Sequence, residues 1–405
     1  MSEVASFERM WADLSEIGRD PATGGYHRFA WNDADMALRE WFRGQADVRG
    51  MPLTEDGNGN QFASWGDRTA GDAVLLGSHL DSVPDGGAYD GPLGVVSAFA
   101  AVDALRARDI VPTRPVVIAN FADEEGSRFG VACAGSRLLT GTLAPERARA
   151  LTDRDGRTLD DVLRDRGRDP ERLGPDEELL ASIGTFVELH VEQGRALVDS
   201  GAPIGVASAI WPHGRYRFDF TGESNHAGTT RMEDRHDPML TYAMTALAAN
   251  KQARLTGTRA TFGRVETHPN GTNAIASRVT GWLDARAADG EALDGLLERV
   301  TAQAADRAQR DGTTVEVATE SSSAVVEFDN GLRDRVSSIL GDAPVLPTGA
   351  GHDAGVLSTY GIPTAMVFVR NPTGVSHSPA EYAQWDDCVA GVEALVEVVA
   401  DLVGP

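Results

Sequence analysis

The segment Gly77-Ser78-His79-Leu80-Asp81-Ser82-Val83-Pro84-Asp85-Gly86-Gly87-Ala88-Tyr89-Asp90-Gly91 holds the residue types that a divalent metal requires. It follows an apolar run, Ala73-Val74-Leu75-Leu76, that reads as a buried strand. Residues i and i+2 of a strand point the same way, so His79 and Asp81 share a face. Asp81 can then orient the His79 imidazole from behind, while the Gly-rich loop folds back to deliver Asp90. Further segments supply partners. Asp123-Glu124-Glu125-Gly126 places paired glutamates just after a strand, and Glu188-Leu189-His190 ends another strand on a histidine. Gly374-Val375-Ser376-His377-Ser378 sets a histidine in a tight loop, and Thr348-Gly349-Ala350-Gly351-His352-Asp353 offers a Gly-rich approach to a small ligand. A glutamate pair alone is usually a solvated surface feature, and a lone strand-end histidine is usually structural. Their joint placement at strand ends between Gly-rich loops points to a metallohydrolase.

The elements that must position these groups alternate. Strand-like runs at Ala73–His79, Pro115–Phe121, Thr185–His190 and Thr364–Val369 alternate with helical patterns, which predicts an α/β domain with a largely parallel central sheet. Ligand sites in such sheets lie at the carboxyl ends of the strands. After Trp211 the pattern changes to strand, helix, strand, strand, helix, strand, the ferredoxin-like βαββαβ order. The expected organisation is a discontinuous catalytic domain, residues 1–210 and 325–405, flanking an inserted domain at 211–324. The Arg/Asp/Glu-rich stretch Thr152–Arg172 is expected to be a solvated excursion.

Composition excludes several function classes. A chain of 405 residues exceeds what one core usually serves. A net charge of −24 repels nucleic acid and anionic membranes, so neither is an expected partner. Cys133 and Cys388, the two cysteines, have no metal-site or redox spacing. Residues 1–9 lack the basic-then-apolar pattern of a signal peptide and no apolar run spans a bilayer, so the cytoplasm is the expected location.

Taken together, Gly77–Gly94, Asp123–Phe129, Glu188–Gly194, Ser224–Met232, Gly349–Ala354 and Gly374–Glu381 resemble the M20-type co-catalytic metallohydrolases. Within them, the resemblance is to the hydantoinase/carbamoylase branch of N-carbamoyl-L-amino-acid hydrolases, β-ureidopropionases and allantoate amidohydrolases. It covers nearly the whole chain and implies that the inserted domain serves as lid and dimerisation domain of a homodimer. It further implies two divalent metal ions per subunit, with Asp90 bridging, His79 and His190 on one and Glu125 and His377 on the other. Such ligands suit Zn, Mn, Co or Ni alike. Glu124 is then the general base. His226 would donate to the developing oxyanion, in some relatives from the partner subunit. Asn273 and Arg286 match positions that grip a substrate carboxylate, with Gln193 and the backbone at Gly351 completing the pocket.

The chain departs from that pattern in having Arg231 after Ala227-Gly228-Thr229-Thr230 and Ala274-Ile275 after Asn273, neither of which touches a metal ligand. The implied reaction is cleavage of the ureido C–N bond of a small ureido acid. Ser224–Thr230 and Gly349–Asp353 look more like allantoate amidohydrolases, whereas Asp90–Val95 and Phe368–Arg370 look more like carbamoyl-amino-acid hydrolases; the balance favours allantoate. The alternatives are a dipeptidase or deacylase of the same superfamily, and a non-catalytic protein that binds a metal or a small acid.

Overall fold

Long uninterrupted apolar runs and Gly-rich turns give this chain its central layer. The computed structural model describes residues 3–404. Two compact units are present: one runs up to Ala209 and resumes at Glu327, and the other is Ile210–Val326. In chain order the strands are β1 Leu53–Glu55, β2 Gln61–Trp65, β3 Ala73–His79, β4 Val116–Phe121, β5 Ile183–Val191 and β6 Ile204–Ile210. The inserted segment supplies β7 His213–Thr221, β8 Asn225–His226, β9 Arg259–His268, β10 Ala274–Ile275, β11 Arg278–Arg286 and β12 Thr314–Ser323. They are followed by β13 Val326–Glu327, β14 Val345–Thr348 and β15 Thr364–Val369.

In the first unit the sheet runs β1-β2-β4-β3-β5-β15-β6, with β14 also paired to β6. The four central strands β4, β3, β5 and β15 are mutually parallel. The flanking pairs β1 with β2, β2 with β4 and β15 with β6 are antiparallel. Parallel strands need cover on both faces, which is why β3, β4 and β15 are buried along their full length. One face packs against the helices Pro92–Ala107 and Trp385–Val403 through Val74, Leu76, Val187, Leu189 and Val367. The helix Pro92–Ala107 is apolar all round and correspondingly almost wholly buried, with Pro92 pre-set at its first turn. Gly77 is required in β3: its φ is +124°, and a Cβ there would lie 2.1 Å from the Ala119 carbonyl oxygen.

Register brings the chemistry to one edge. His79 is paired with Phe121, and His190 with Phe368, so the carboxyl ends of all four parallel strands lie together. The stretch 152–172 differs from the expected solvated excursion. It contains the helix Leu159–Asp165, whose Leu159, Val162 and Leu163 are buried with Trp31, Leu138, Leu143 and Ala148. The charged residues dominate the composition, but three apolar side chains at helical spacing suffice to anchor the segment.

The second unit is an antiparallel sheet in the order β12-β7-β11-β9. The helix Pro238–Thr256 connects β7 towards β9, and Gly290–Asp311 connects β11 to β12. Ala249, Leu293, Leu296 and Val300 from these helices pack on Phe218, Phe220 and Leu283 of the sheet. A two-stranded ribbon pairs β8 with β10, setting His226 opposite Ala274. No helix among the described residues is long and apolar enough to cross a membrane.

Candidate metal centre

Asp90 is the hub of a cluster at the carboxyl edge of the parallel strands, in which His79, Asp90 and His190 are buried, Glu125 is partly buried and His377 is exposed. Its Oδ1 lies 3.2 Å from His190 Nε2 and 3.7 Å from His79 Nε2. Its Oδ2 lies 3.4 Å from His377 Nε2, which in turn is 3.6 Å from Glu125 Oε2. The two oxygens of one carboxylate thus face two separate donor groups, His79–Asp90–His190 and Asp90–Glu125–His377, either of which could hold a metal ion.

The imidazoles are prepared for this. His79 Nδ1 is 3.2 Å from the Asp81 carbonyl oxygen and His190 Nδ1 is 2.9 Å from that of Val191. A carbonyl only accepts, so each Nδ1 carries a proton and each Nε2 is the ring atom turned towards Asp90. Both Nε2 atoms are fully buried and have no hydrogen-bond partner. Orphaned buried polar atoms cost stability unless something binds them. A divalent cation is the species these atoms fit.

Asp81 has a larger duty than orienting His79. Its carboxylate oxygen is 3.5 Å from His79 Nδ1, farther than its own carbonyl, while Oδ1 and Oδ2 accept the backbone N–H groups of Glu124 and Glu125, both at 3.1 Å. Glu124 is 5% exposed, with Oε2 at 3.7 Å from His79 Nε2. Its other oxygen receives the Cys133 thiol at 3.4 Å, a contact that cysteine spacing in the sequence could not reveal. Burial, reinforced by Asp353 and Glu125, pushes the Glu124 carboxyl well above the usual range, although His79 opposes it. Gln193, expected in the substrate pocket, donates from Nε2 to Asp90 Oδ2 at 2.8 Å.

His352 was not among the sequence candidates. It is buried, its ring centroid lies 4.4 Å from that of His190, and it forms a third donor group with Glu188 and His190. Burial beside His190 holds it well below the usual imidazole range, hence neutral. The only signal in the sequence was its place in the Gly349–Asp353 loop, beside Gly351, which is exposed.

In the second unit, His226 Nδ1 accepts the N–H groups of Gly228 at 3.0 Å and Thr229 at 3.2 Å. Nδ1 is thereby unprotonated and Nε2–H is a donor, the form an oxyanion requires. The Asn273 carbonyl accepts the Ala227 N–H at 2.9 Å, so His226 and Asn273 are neighbours. Arg286 is not with them. It ends β11 at the pole opposite Arg278 and binds Asp284 at 2.8 and 3.1 Å.

The model of the peptidase family M20/M25/M40 matches residues 75–401. The chain is 35% identical over 404 residues to an N-carbamoyl-L-amino acid amidohydrolase of Geobacillus stearothermophilus, covering 98% of each. It is 30% identical over 398 residues to an allantoate amidohydrolase of Escherichia coli, covering 96% of this chain and 95% of that one. The crystal structure of a hydantoinase/carbamoylase-family amidase from Burkholderia vietnamiensis matches with a TM-score of 0.87 at 30% identity, covering 98% and 97% of the two chains. By the matched length, the fold and the donor groups at the strand ends, this chain belongs to the peptidase family M20/M25/M40, in its hydantoinase/carbamoylase branch of metal-dependent hydrolases.

Proposed function

We propose that this protein hydrolyses the ureido C–N bond of a small ureido acid, releasing ammonia and carbon dioxide, with two divalent cations per subunit. The observation that carries this reading is the opposed placement of the two Asp90 oxygens, each facing its own donor group. His79 and His190 would hold one cation and Glu125 and His377 the other, with Asp90 shared. When bound, such a pair acidifies a water molecule and polarises a carbonyl. Zn, Mn, Co or Ni all suit the donors.

The chain's own residues do the rest. Glu124 neighbours a ligand without belonging to either donor group, and its raised proton affinity suits a carboxyl that takes a proton from water and returns it to the leaving nitrogen. Nε2–H of His226 stabilises the oxyanion. The Arg286 guanidinium can grip a substrate carboxylate bidentately, with Asn273, Gln193 and the Gly351 backbone as further polar contacts.

One substrate cannot reach Arg286 and His226 of the same subunit. Nine residues of β11 separate the Arg286 pole from the Asn273 pole, a span of about 27 Å at roughly 3.4 Å per residue step, and a ureido acid is far shorter. The reading therefore requires a homodimer in which one subunit's Arg286 works with the other's His226 and Asn273. The inserted unit, whose βαββαβ order is ferredoxin-like, is then both lid and dimerisation domain.

Allantoate is the favoured substrate on the Ser224–Thr230 and Gly349–Asp353 motifs. N-carbamoyl-L-amino acids are the second reading, favoured by the 35% identity to the Geobacillus protein. The test is ammonia release by Mn- or Zn-loaded protein offered allantoate, several N-carbamoyl-L-amino acids, N-carbamoyl-β-alanine and dipeptides. Turnover of dipeptides alone, or stoichiometric binding without product, overturns the proposal.

A further inference from the structure

We infer that Glu381 is a positioning residue that couples the bridging Asp90 to His377, and that it governs the second cation rather than the first. The inference rests on the dinuclear reading above. The two donor groups differ in how their backbones are held. His79 and His190 lie in β3 and β5, inside the hydrogen-bonded ladder of the sheet. Asp90 and His377 lie in loops, and His377 has a left-handed φ of +55°. Something other than the sheet must fix those loops.

Glu381 is 5% exposed and does so with both carboxylate oxygens. Oε1 accepts the backbone N–H of Tyr89 at 2.9 Å and that of Asp90 at 3.0 Å. Oε2 lies 3.0 Å from the Ser376 hydroxyl, which immediately precedes His377 and is also 3.1 Å from Asp90 Oδ2. That hydroxyl donates to one carboxylate at a time, linking the His377 loop to either. Gly87 packs so closely that a Cβ would meet the Glu381 carboxylate at 2.4 Å, so the loop is shaped around this side chain. One carboxylate thus sets the approach of two of the three loop-borne ligands, Asp90 and His377. The third, Glu125, has its amide held by Asp81, and the two strand-borne histidines do not depend on Glu381.

The test is calorimetric titration of metal-free wild type, E381A, E381Q and S376A with Mn2+ or Zn2+, with elemental analysis of bound metal. Wild type is expected to take up two cations. E381A should keep the first event and weaken the second about 10–100-fold, as loss of a ligand's supporting hydrogen bonds does. E381Q, which retains an acceptor for the two amides, should recover part of that loss, and S376A should weaken the second event less than E381A. Should E381A not fold, E381Q and S376A against wild type give the same comparison. Two wild-type-like events in E381A and S376A, or equal loss of both events, overturn the role of Glu381. A wild type that binds fewer than two cations overturns the dinuclear reading itself, a separate outcome.

Discussion

The Asp81 carboxylate accepts the backbone N–H of Glu124 at 3.1 Å, so the carboxyl two residues beyond the first histidine aims the candidate base. A second bond at the same distance fixes the Glu125 amide. Replacing Asp81 with Asn leaves one acceptor and turns an N–H2 towards a backbone N–H. We expect D81N to lower kcat about 10–100-fold with KM little changed. A steady-state comparison with wild type in saturating metal checks it, and a wild-type kcat would remove Asp81 from this role.

Glu124→Gln keeps size and burial but removes the group that takes and returns a proton. Turnover should fall by at least about 10²–10⁴-fold, the usual weight of general acid–base catalysis. Metal content by elemental analysis should remain that of wild type. Near-native activity in metal-replete E124Q would sink the assignment.

The separation of Arg286, at the end of β11, from His226, on the β8–β10 ribbon that precedes its start, yields a complementation experiment. H226A and R286A should each be nearly inactive alone. Mixed and allowed to exchange subunits, half of the dimers pair one of each, and each such dimer has one intact site. Activity should therefore return to about a quarter of wild type in a symmetric dimer. No recovery, despite subunit exchange shown by mass labelling, excludes a shared site.

Asp353 bears on stability. Burial, with Glu188 nearby, raises its carboxyl to about 8, and Ser136 Oγ donates to it at 2.5 Å. In the unfolded chain it ionises near about 3.9. Between these values the folded state binds the extra proton, so this contribution to stability is complete below about pH 4 and lost as pH rises through about 8. D353N, always neutral, should flatten that decline. Urea midpoints at several pH values across this window measure it, and an unchanged slope would show that Asp353 is not responsible.

Leu163 tests the segment whose burial its composition concealed. It is 2% exposed among Leu159, Val162 and Trp31. L163A should cost about 2–4 kcal/mol. A loss below about 0.5 kcal/mol, the usual surface value, would mean that the segment is not packed in solution.

Much of this protein could be read along the chain because its signals are local. A buried parallel strand must be continuously apolar, so β3, β4, β5 and β15 announce themselves, and turns that bring ligands to strand ends demand glycine. His79, Asp90, His190, His377 and the pair Glu124-Glu125 therefore stood out by type and place, and the family resemblance is what singles out Glu125 of the pair as a proposed ligand. Relationships between distant segments carry no such mark. Sequence alone could not say that Glu381 holds the Asp90 amide, that Cys133 meets Glu124, or that His352 lies against His190, because each depends on how loops close and pack and not on local residue pattern. Nor could it say that Arg286, thirteen positions after Asn273, ends a nine-residue strand that begins only after Asn273 and carries the two apart. Residue types determined the chemistry available; the register of β11 and the closure of the loops decided which groups can act together.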